Sequence, residues 1–379
     1  MYTKVKKLII SDVETVIVEQ SIDKNVYVEA PKSIKVKQDS ETLMIKGDGL
    51  NAGGITVVGD LVKGYSFNRN TITNSVVAIG GSKISGVDIH DHDESFFWSI
   101  LRNLFGWGSK TTVRSRVVVG NGSTVTETIT RNGKTTVKVN GKLLSEEELK
   151  EFEAERKPTV IKIPDGLDVT FKNCSDIVFE SDFSFGNLAL EIVGHGELRA
   201  KKLSADSAII TSSDHSTSII GSLDVPILKV NCLGMSKLTI GSVDATEATV
   251  TSSNHSECKV NSFHVSELIA NCSNMSKFIV DNGKTKRSTV TTSNHSNCKI
   301  SCFTASELVT NSSNMSEFRI KKGEVDRVTL TASNHSTVKV EGKLQHVVAT
   351  TSDMATCRFS KPSESPLISS SNHSTCKVI

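Results

Sequence analysis

The chain has 379 residues with 44 Lys+Arg against 42 Asp+Glu, and only 5% of it is aromatic. A net charge of +2 with 23% charged residues excludes a broad field for nucleic acid, and it also excludes the composition of a disordered chain or a coiled coil. No run approaches the roughly 18 apolar residues of a membrane helix, and Asp12 and Glu14 interrupt the N-terminal segment before a leader-like run develops. The expectation is a cytoplasmic protein that engages neither nucleic acid nor membrane.

Residues 1–48 read as short alternating strands, KVKKLIISDVETVIVEQ, NVYVEA, SIKVKQ and TLMIKG, and are expected to form the first coils of a larger stack. Residues 49–157 depart from that style and read as an insertion of small α+β character. Within it, SFFWSILRNLFGWGS (95–109) predicts a helix with Phe97, Leu101, Leu104 and Phe105 on one stripe and Trp98 and Trp107 beside it. Phe97, Trp98, Leu101, Phe105 and Trp107 are therefore expected to cap the stack or contact a partner. Asn132-Gly133 and Asn140-Gly141, flanked by β-prone residues, predict tight hairpins. Ser145-Glu-Glu-Glu148 predicts the capping box of a short helix that ends before Pro158.

Residues 158–379 resume the strand-like style with PTVIKIPDGLDVTF and then settle into a repeat. SSNHSECKV at 252, TSNHSNCKI at 292, ASNHSTVKV at 332 and SSNHSTCKV at 370 alternate with NCLGMSKLTI at 231, NCSNMSKFIV at 271 and NSSNMSEFRI at 311. Their central residues are His195, His215, Met235, His255, Met275, His295, Met315, His335, Met354 and His373, spaced by 20 residues until the last two steps of 19. Each unit reads as a short β run, a small polar turn and a second β run. Units that small must stack to bury a face, which predicts an all-β parallel solenoid.

Ladders follow from stacking. Three residues after each turn centre stand Cys258, Phe278, Cys298, Phe318, Val338, Cys357 and Cys376, and five after it stand Val260, Val280, Ile300 and Ile320, so both columns are expected to face inward. SFHVSEL at 262 matches CFTASEL at 302, and DNGKTKRSTVT at 281 resembles KKGEVDRVTLT at 321. The period is thus 40 residues, built from two 20-residue halves. A flattened 40-residue coil that stacks like on like is the preferred expectation, and a 20-residue coil with alternating halves is the other.

The N-terminal run VKKLIISDVETVIVEQ…VYVEA…IKVKQ…TLMIKG, followed by IKIPDGLDVTF and the ladder of small polar turns, resembles the GIN-domain family of adhesin-like heads over about 1–48 and 158–379. Members carry Gly-rich SGSG turns where this chain has Ser-Asn-His-Ser; Gly194-His-Gly196 is the nearest equivalent. The resemblance implies a right-handed parallel β-helix and no catalytic residues.

The residues themselves offer few sites. The His column reads as a turn ladder rather than a metal site, because structural Zn wants four convergent ligands. The eight Cys lack a CxxC pair and read as inward thiols in a reducing compartment. Asp88, His90, Asp91, His92, Asp93 and Glu94 read as a solvated acidic loop, and Thr249-Val-Thr251, Thr289-Val-Thr291 and Thr329-Leu-Thr331 as ordinary strand threonines. P-loop, GxGxxG and GxSxG motifs are missing. The expected function is a non-enzymatic scaffold, without cofactor or metal, for structural assembly or partner binding. The alternative is polyanion or glycan binding along a column of Lys259, Lys299, Lys339 and Lys377, with Lys284, Lys286 and Arg287 nearby. Val378 and Ile379, in a repeat with no polar cap after it, are expected to mediate self-association.

Overall fold

The computed structural model describes residues 1–47 and 158–379, together with the backbone of eight strands between 55 and 143. It divides into two compact units, one of Met1–Ala30, Ile34–Leu50 and Thr159–Ile379, the other of Pro31–Ser33 and Asn51–Pro158. In the second unit, Thr112–Val118, Val125–Arg131, Lys134–Val139 and Lys142–Leu143 pair antiparallel in that order. The pairs Arg131↔Lys134 and Val139↔Lys142 leave only the Asn-Gly dipeptides between partners. The helices expected at 95–107 and from 145 lie outside the described residues.

The first unit is a parallel β-solenoid of about ten turns. Its register is Lys237↔Glu257↔Lys277↔Asn297↔Glu317↔Thr337, so one coil is 20 residues and the preferred 40-residue coil is wrong. His and Met turns lie on one edge, alternating up the stack. Each coil has three sides. Along Glu257–Cys272 the residues Cys258, Val260, Phe263, Val265, Leu268, Ala270 and Cys272 are buried, and the alternation slips at Asn261-Ser262 and Ser266-Glu267, where two successive side chains face outward. Those slips are two corners, and the Ser-Asn-Met-Ser turn at 273–276 is the third.

Like does not stack on like because it would not pack. The column through Cys258 runs Cys258–Phe278–Cys298–Phe318, and the first inward column of the adjoining side runs Phe263–Gly283–Phe303–Gly323. A coil with Cys and Phe is therefore followed by one with Phe and Gly, and each ring fills the space that its neighbours leave. Gly283 shows how tight the fit is, because a Cβ there would meet the Phe303 ring at 2.8 Å. The 40-residue period is a packing period laid over a 20-residue coil. The first step of 19 residues has a local cause too: Gly342 adopts φ 137° at a corner, where a Cβ would lie 2.1 Å from the Gly323 carbonyl oxygen.

The turns explain their own sequence. Both central residues have positive φ, for example Asn254 at 57° and His255 at 65°, or Asn274 at 54° and Met275 at 60°, and the Ser276 N–H closes the turn onto the Ser273 carbonyl at 3.3 Å. This is the type I′ pattern. An ordinary side chain in that region costs roughly 1–2 kcal/mol, which Asn and Asp largely escape. The Asn side chains also bond between coils: Asn274, Asn294, Asn314 and Asn334 each donate Nδ2–H to the Oδ1 of the preceding turn's Asn, at 3.0–3.1 Å. The following residue's amide points the other way, as when the His255 N–H reaches the Asn274 carbonyl at 3.0 Å. The turn ladder is thus held by Asn–Asn side-chain bonds and by backbone bonds.

Inside the turn stands a buried serine ladder. The Ser276 hydroxyl donates to the Ser252 carbonyl at 2.6 Å and accepts the Ser273 N–H at 3.1 Å, and Ser236, Ser296, Ser316 and Ser336 repeat the arrangement. Each hydroxyl ties its own turn to the coil before it.

The N-terminal residues form coils only in part. Lys7–Ser11 lies parallel between Thr42–Lys46 and Asp168–Cys174, and Thr15–Gln20 lies parallel between Thr159–Ile163 and Asp176–Phe179. Tyr27–Glu29 and Lys35–Asp39, however, run antiparallel against Thr159–Ile163 and Thr42–Lys46. These short strands, one carrying Lys35 and Lys37, close this end of the parallel stack.

We expect Gly283→Ala to destabilise the solenoid by about 1–3 kcal/mol in denaturant unfolding, because the Phe303 ring must shift. Deleting residues 273–292 would place Phe263 against Phe303 and Cys258 against Cys298, whereas deleting 253–292 preserves the alternation. The longer deletion should therefore unfold at the higher temperature, and the reverse order would disprove the packing account. Ser276→Ala should cost about 1–2 kcal/mol through the lost inter-coil bond.

Candidate functional site

The outward columns are the candidate surfaces. The register through Lys259 reads Thr239–Lys259–Ile279–Lys299–Arg319–Lys339–Arg358–Lys377. The four lysines therefore do not touch as a ladder of their own. Ile279 separates Lys259 from the rest, while Arg319 and Arg358 complete an unbroken run of five cations from Lys299 to Lys377. Lys259 pairs with Asp281 at 3.3 Å, and Arg319 and Lys339 share Glu341 at 3.6 and 2.9 Å. The Lys339 ammonium holds the Glu341 carboxyl below its usual range. Among the described residues, Lys299, Arg358 and Lys377 have no carboxylate within ion-pair distance.

A second face is uncharged from the Thr249 rung onward, past Lys229 on the rung before. Its two columns run Thr249–Ile269–Thr289–Val309–Thr329–Val348–Leu367 and Thr251–Asn271–Thr291–Asn311–Thr331–Thr350–Ser369. The repeated Thr pairs are thus alternate rungs of a flat surface, with Ile269 49% and Val348 42% exposed between them. At the 266–267 corner, on the other side of this face from the turn, charges alternate instead: Arg287 pairs with Glu267, which raises the guanidinium pKa, and Arg327 lies 3.6 Å from Glu307. Arg287 is therefore occupied.

Lys284 and Lys286 line a shallow depression of about 470 Å³ with Asp224, Asp244 and His264. His264 Nδ1 stands 4.0 Å from Asp244 Oδ2, and both side chains are mostly exposed. The carboxylates sit at one end and the ammonium groups at the other, all screened by solvent. The arrangement suits a weakly held polar ligand better than proton transfer in a dry site.

Six of the eight thiols are buried. All eight cysteines are free. Burial pushes the Cys174 thiol up to about 12, and it raises Cys258 and Cys298 well above their ordinary value. Cys258, Cys298, Cys357 and Cys376 share one column, whereas Cys232 and Cys272 alternate with Ser252 and Thr292 in another.

The turn edge carries the His/Met column. The Met side chains are 52–56% exposed, and the rings of His195 and His215 stack at 4.9 Å. Burial, then the neighbouring His215, lowers the His195 pKa. Among the described residues no group of three or more His, Cys, Asp or Glu is placed to hold a metal ion, and no helix is long and apolar enough to cross a membrane.

At the far end, Leu367–Ser370 and Thr375–Val378 each pair on one side only among the described residues. Leu367 is 70%, Ile368 45% and Ile379 47% exposed, and Val378 is half-buried. Phe97, Trp98, Leu101, Phe105 and Trp107, like the acidic cluster from Asp88 to Glu94, lie outside the described residues. Arg319 and Arg358 were missed as column members because the lysines alone recur at the 40-residue period. No family model, curated protein or solved structure matches the chain.

The thiols give a pH dependence with a definite sign. Above pH 9, the ordinary thiol value, the unfolded chain releases protons that the buried thiols keep, so stability present below that pH is lost as it rises toward the folded values. We expect the melting temperature to fall between about pH 9 and 11, and Cys258→Ala with Cys298→Ala to flatten the fall. An unchanged slope in the double variant would refute the assignment.

Proposed function

We propose that the protein is a non-enzymatic scaffold, a rigid solenoid that displays long uniform surfaces for structural assembly or partner binding. The observation that carries this reading is the continuity of its outward columns: seven rungs of uncharged Thr, Asn, Ile, Val, Leu and Ser on one face and five successive cations on another. A catalytic centre needs a unique cluster, whereas a repeated surface suits an extended partner. The GIN-domain resemblance favours the same adhesin-like display. Self-association is part of the proposal, with a second copy adding strands at the rung that contains Val378 and Ile379. Sedimentation of the full chain over a wide concentration range tests it. Wild type should form larger species that Val378→Lys with Ile379→Lys disperses, leaving the melting temperature unchanged; a monomer at every concentration would count against assembly through this edge.

A second reading, polyanion or glycan binding, has support in Lys299, Arg358 and Lys377, which have no ion-pair partner among the described residues. Lys299→Glu with Arg358→Glu and Lys377→Glu should abolish retention on a sulfated-glycan column at low salt, and retention equal to wild type would rule that column out.

A further inference from the structure

The turn edge contains a pattern that the fold does not require. Its second central position holds His215, Met235, His255, Met275, His295, Met315, His335, Met354 and His373, all at positive φ between 57° and 76°. Asn or Gly would relieve that conformation, as Asn254 and Gly234 do one residue earlier. Methionine has no such tolerance and here buries little, since Met235, Met275, Met315 and Met354 are each more than half exposed. Neither local conformation nor core packing explains four exposed thioethers in strained positions, each between two imidazoles.

We propose that this ridge binds a soft monovalent cation, Cu(I) or Ag(I), between the imidazole of one turn and the thioether of the next. Soft donors select such ions, and imidazole serves copper as well. The rung spacing is ~4.8 Å, close to the about 4.4 Å that two bonds of zinc-like length, about 2.0–2.1 Å to a ring nitrogen and 2.3 Å to a sulfur, would span. Neighbouring rings on this edge already stand 4.9 Å apart at His195 and His215. Two ligands on adjacent rungs suit the low coordination numbers of these ions, whereas divalent zinc would lack its four. Six of the eight thiols are buried, and the two that are partly exposed, Cys302 and Cys376, lie off the ridge. The pairs His215–Met235, His255–Met275, His295–Met315 and His335–Met354 would give up to four separate sites.

The test is titration of the full chain with Ag(I) in chloride-free buffer, read by calorimetry and by the methionine methyl resonances. Up to four ions should bind, shifting the methyl signals of Met235, Met275, Met315 and Met354 but not those of Met1 and Met44, and Zn²⁺ should produce no such shifts. Replacing the four ridge methionines by Leu should weaken Ag(I) binding at least tenfold; His255→Asn with His295→Asn, which keeps a residue suited to positive φ, should remove the response of Met275. Absence of methyl shifts in the wild type, or binding abolished by thiol alkylation with the ridge signals unmoved, would overturn the proposal and leave the His/Met alternation as sulfur–ring packing.

Discussion

Side chains repeated every 20 residues must lie one above another at the strand spacing of ~4.8 Å, and every other feature of the solenoid answers to that constraint. A column of phenylalanines at such spacing would overfill the interior, and a column of glycines or cysteines would leave voids. Coupling two columns in opposite phase, Cys258 and Phe263 followed by Phe278 and Gly283, gives successive coils similar filling without identical residues. That is why the sequence repeats at twice the length of the coil.

The same constraint governs polar groups. A tight turn exposes backbone donors and acceptors at every rung, and any side chain that satisfies them once is in register to do so again. The Asn amides form a continuous bonded chain on the outer side of the turn, and the buried Ser hydroxyls repeat one inter-coil bond at every rung on the inner side. The first runs from side chain to side chain and the second from side chain to backbone, so shear of one coil against the next breaks several bonds together. Where the repeat is imperfect the core changes character. In the less regular coils before residue 190, Phe171, Phe179, Phe183 and Phe185 pack edge-to-face and stacked, supplying by aromatic bulk the cohesion that the polar ladders supply later.

The solenoid was legible in the sequence because its inward columns alternate at period two and its turns announce themselves by Ser-Asn-X-Ser. Coil length was not, since similarity favours 40 residues and complementarity selects 20. Similarity is visible in a string of letters, whereas the fit of Phe303 against Gly283 depends on which columns neighbour each other in space. The antiparallel direction of Tyr27–Glu29 and Lys35–Asp39 was equally hidden, because alternation is the same for a strand run either way. For the candidate surfaces, choosing residues by identity found Lys299, Lys339 and Lys377 but overlooked Arg319 and Arg358, which a charge-based reading at 20 residues would have joined to them.

Regularity also sets what such a surface can recognise. A side chain on one rung acts with its neighbours above and below, so a weak interaction is multiplied along a partner that is itself extended, and lost against one that is compact. The outward columns therefore need no deep pocket: five cations in line present a field that a single exposed lysine does not, and the uncharged face offers a flat area without the desolvation cost of buried charge. The two ends differ in the same terms. Short antiparallel strands pair at one, while parallel strands with exposed Leu367, Ile368 and Ile379 stand at the other. Under the proposed self-association, a contact that joins that rung to its symmetric copy would close as a pair, whereas one that joins it to a different surface would propagate, and antiparallel strands at the other end would disfavour the propagating choice.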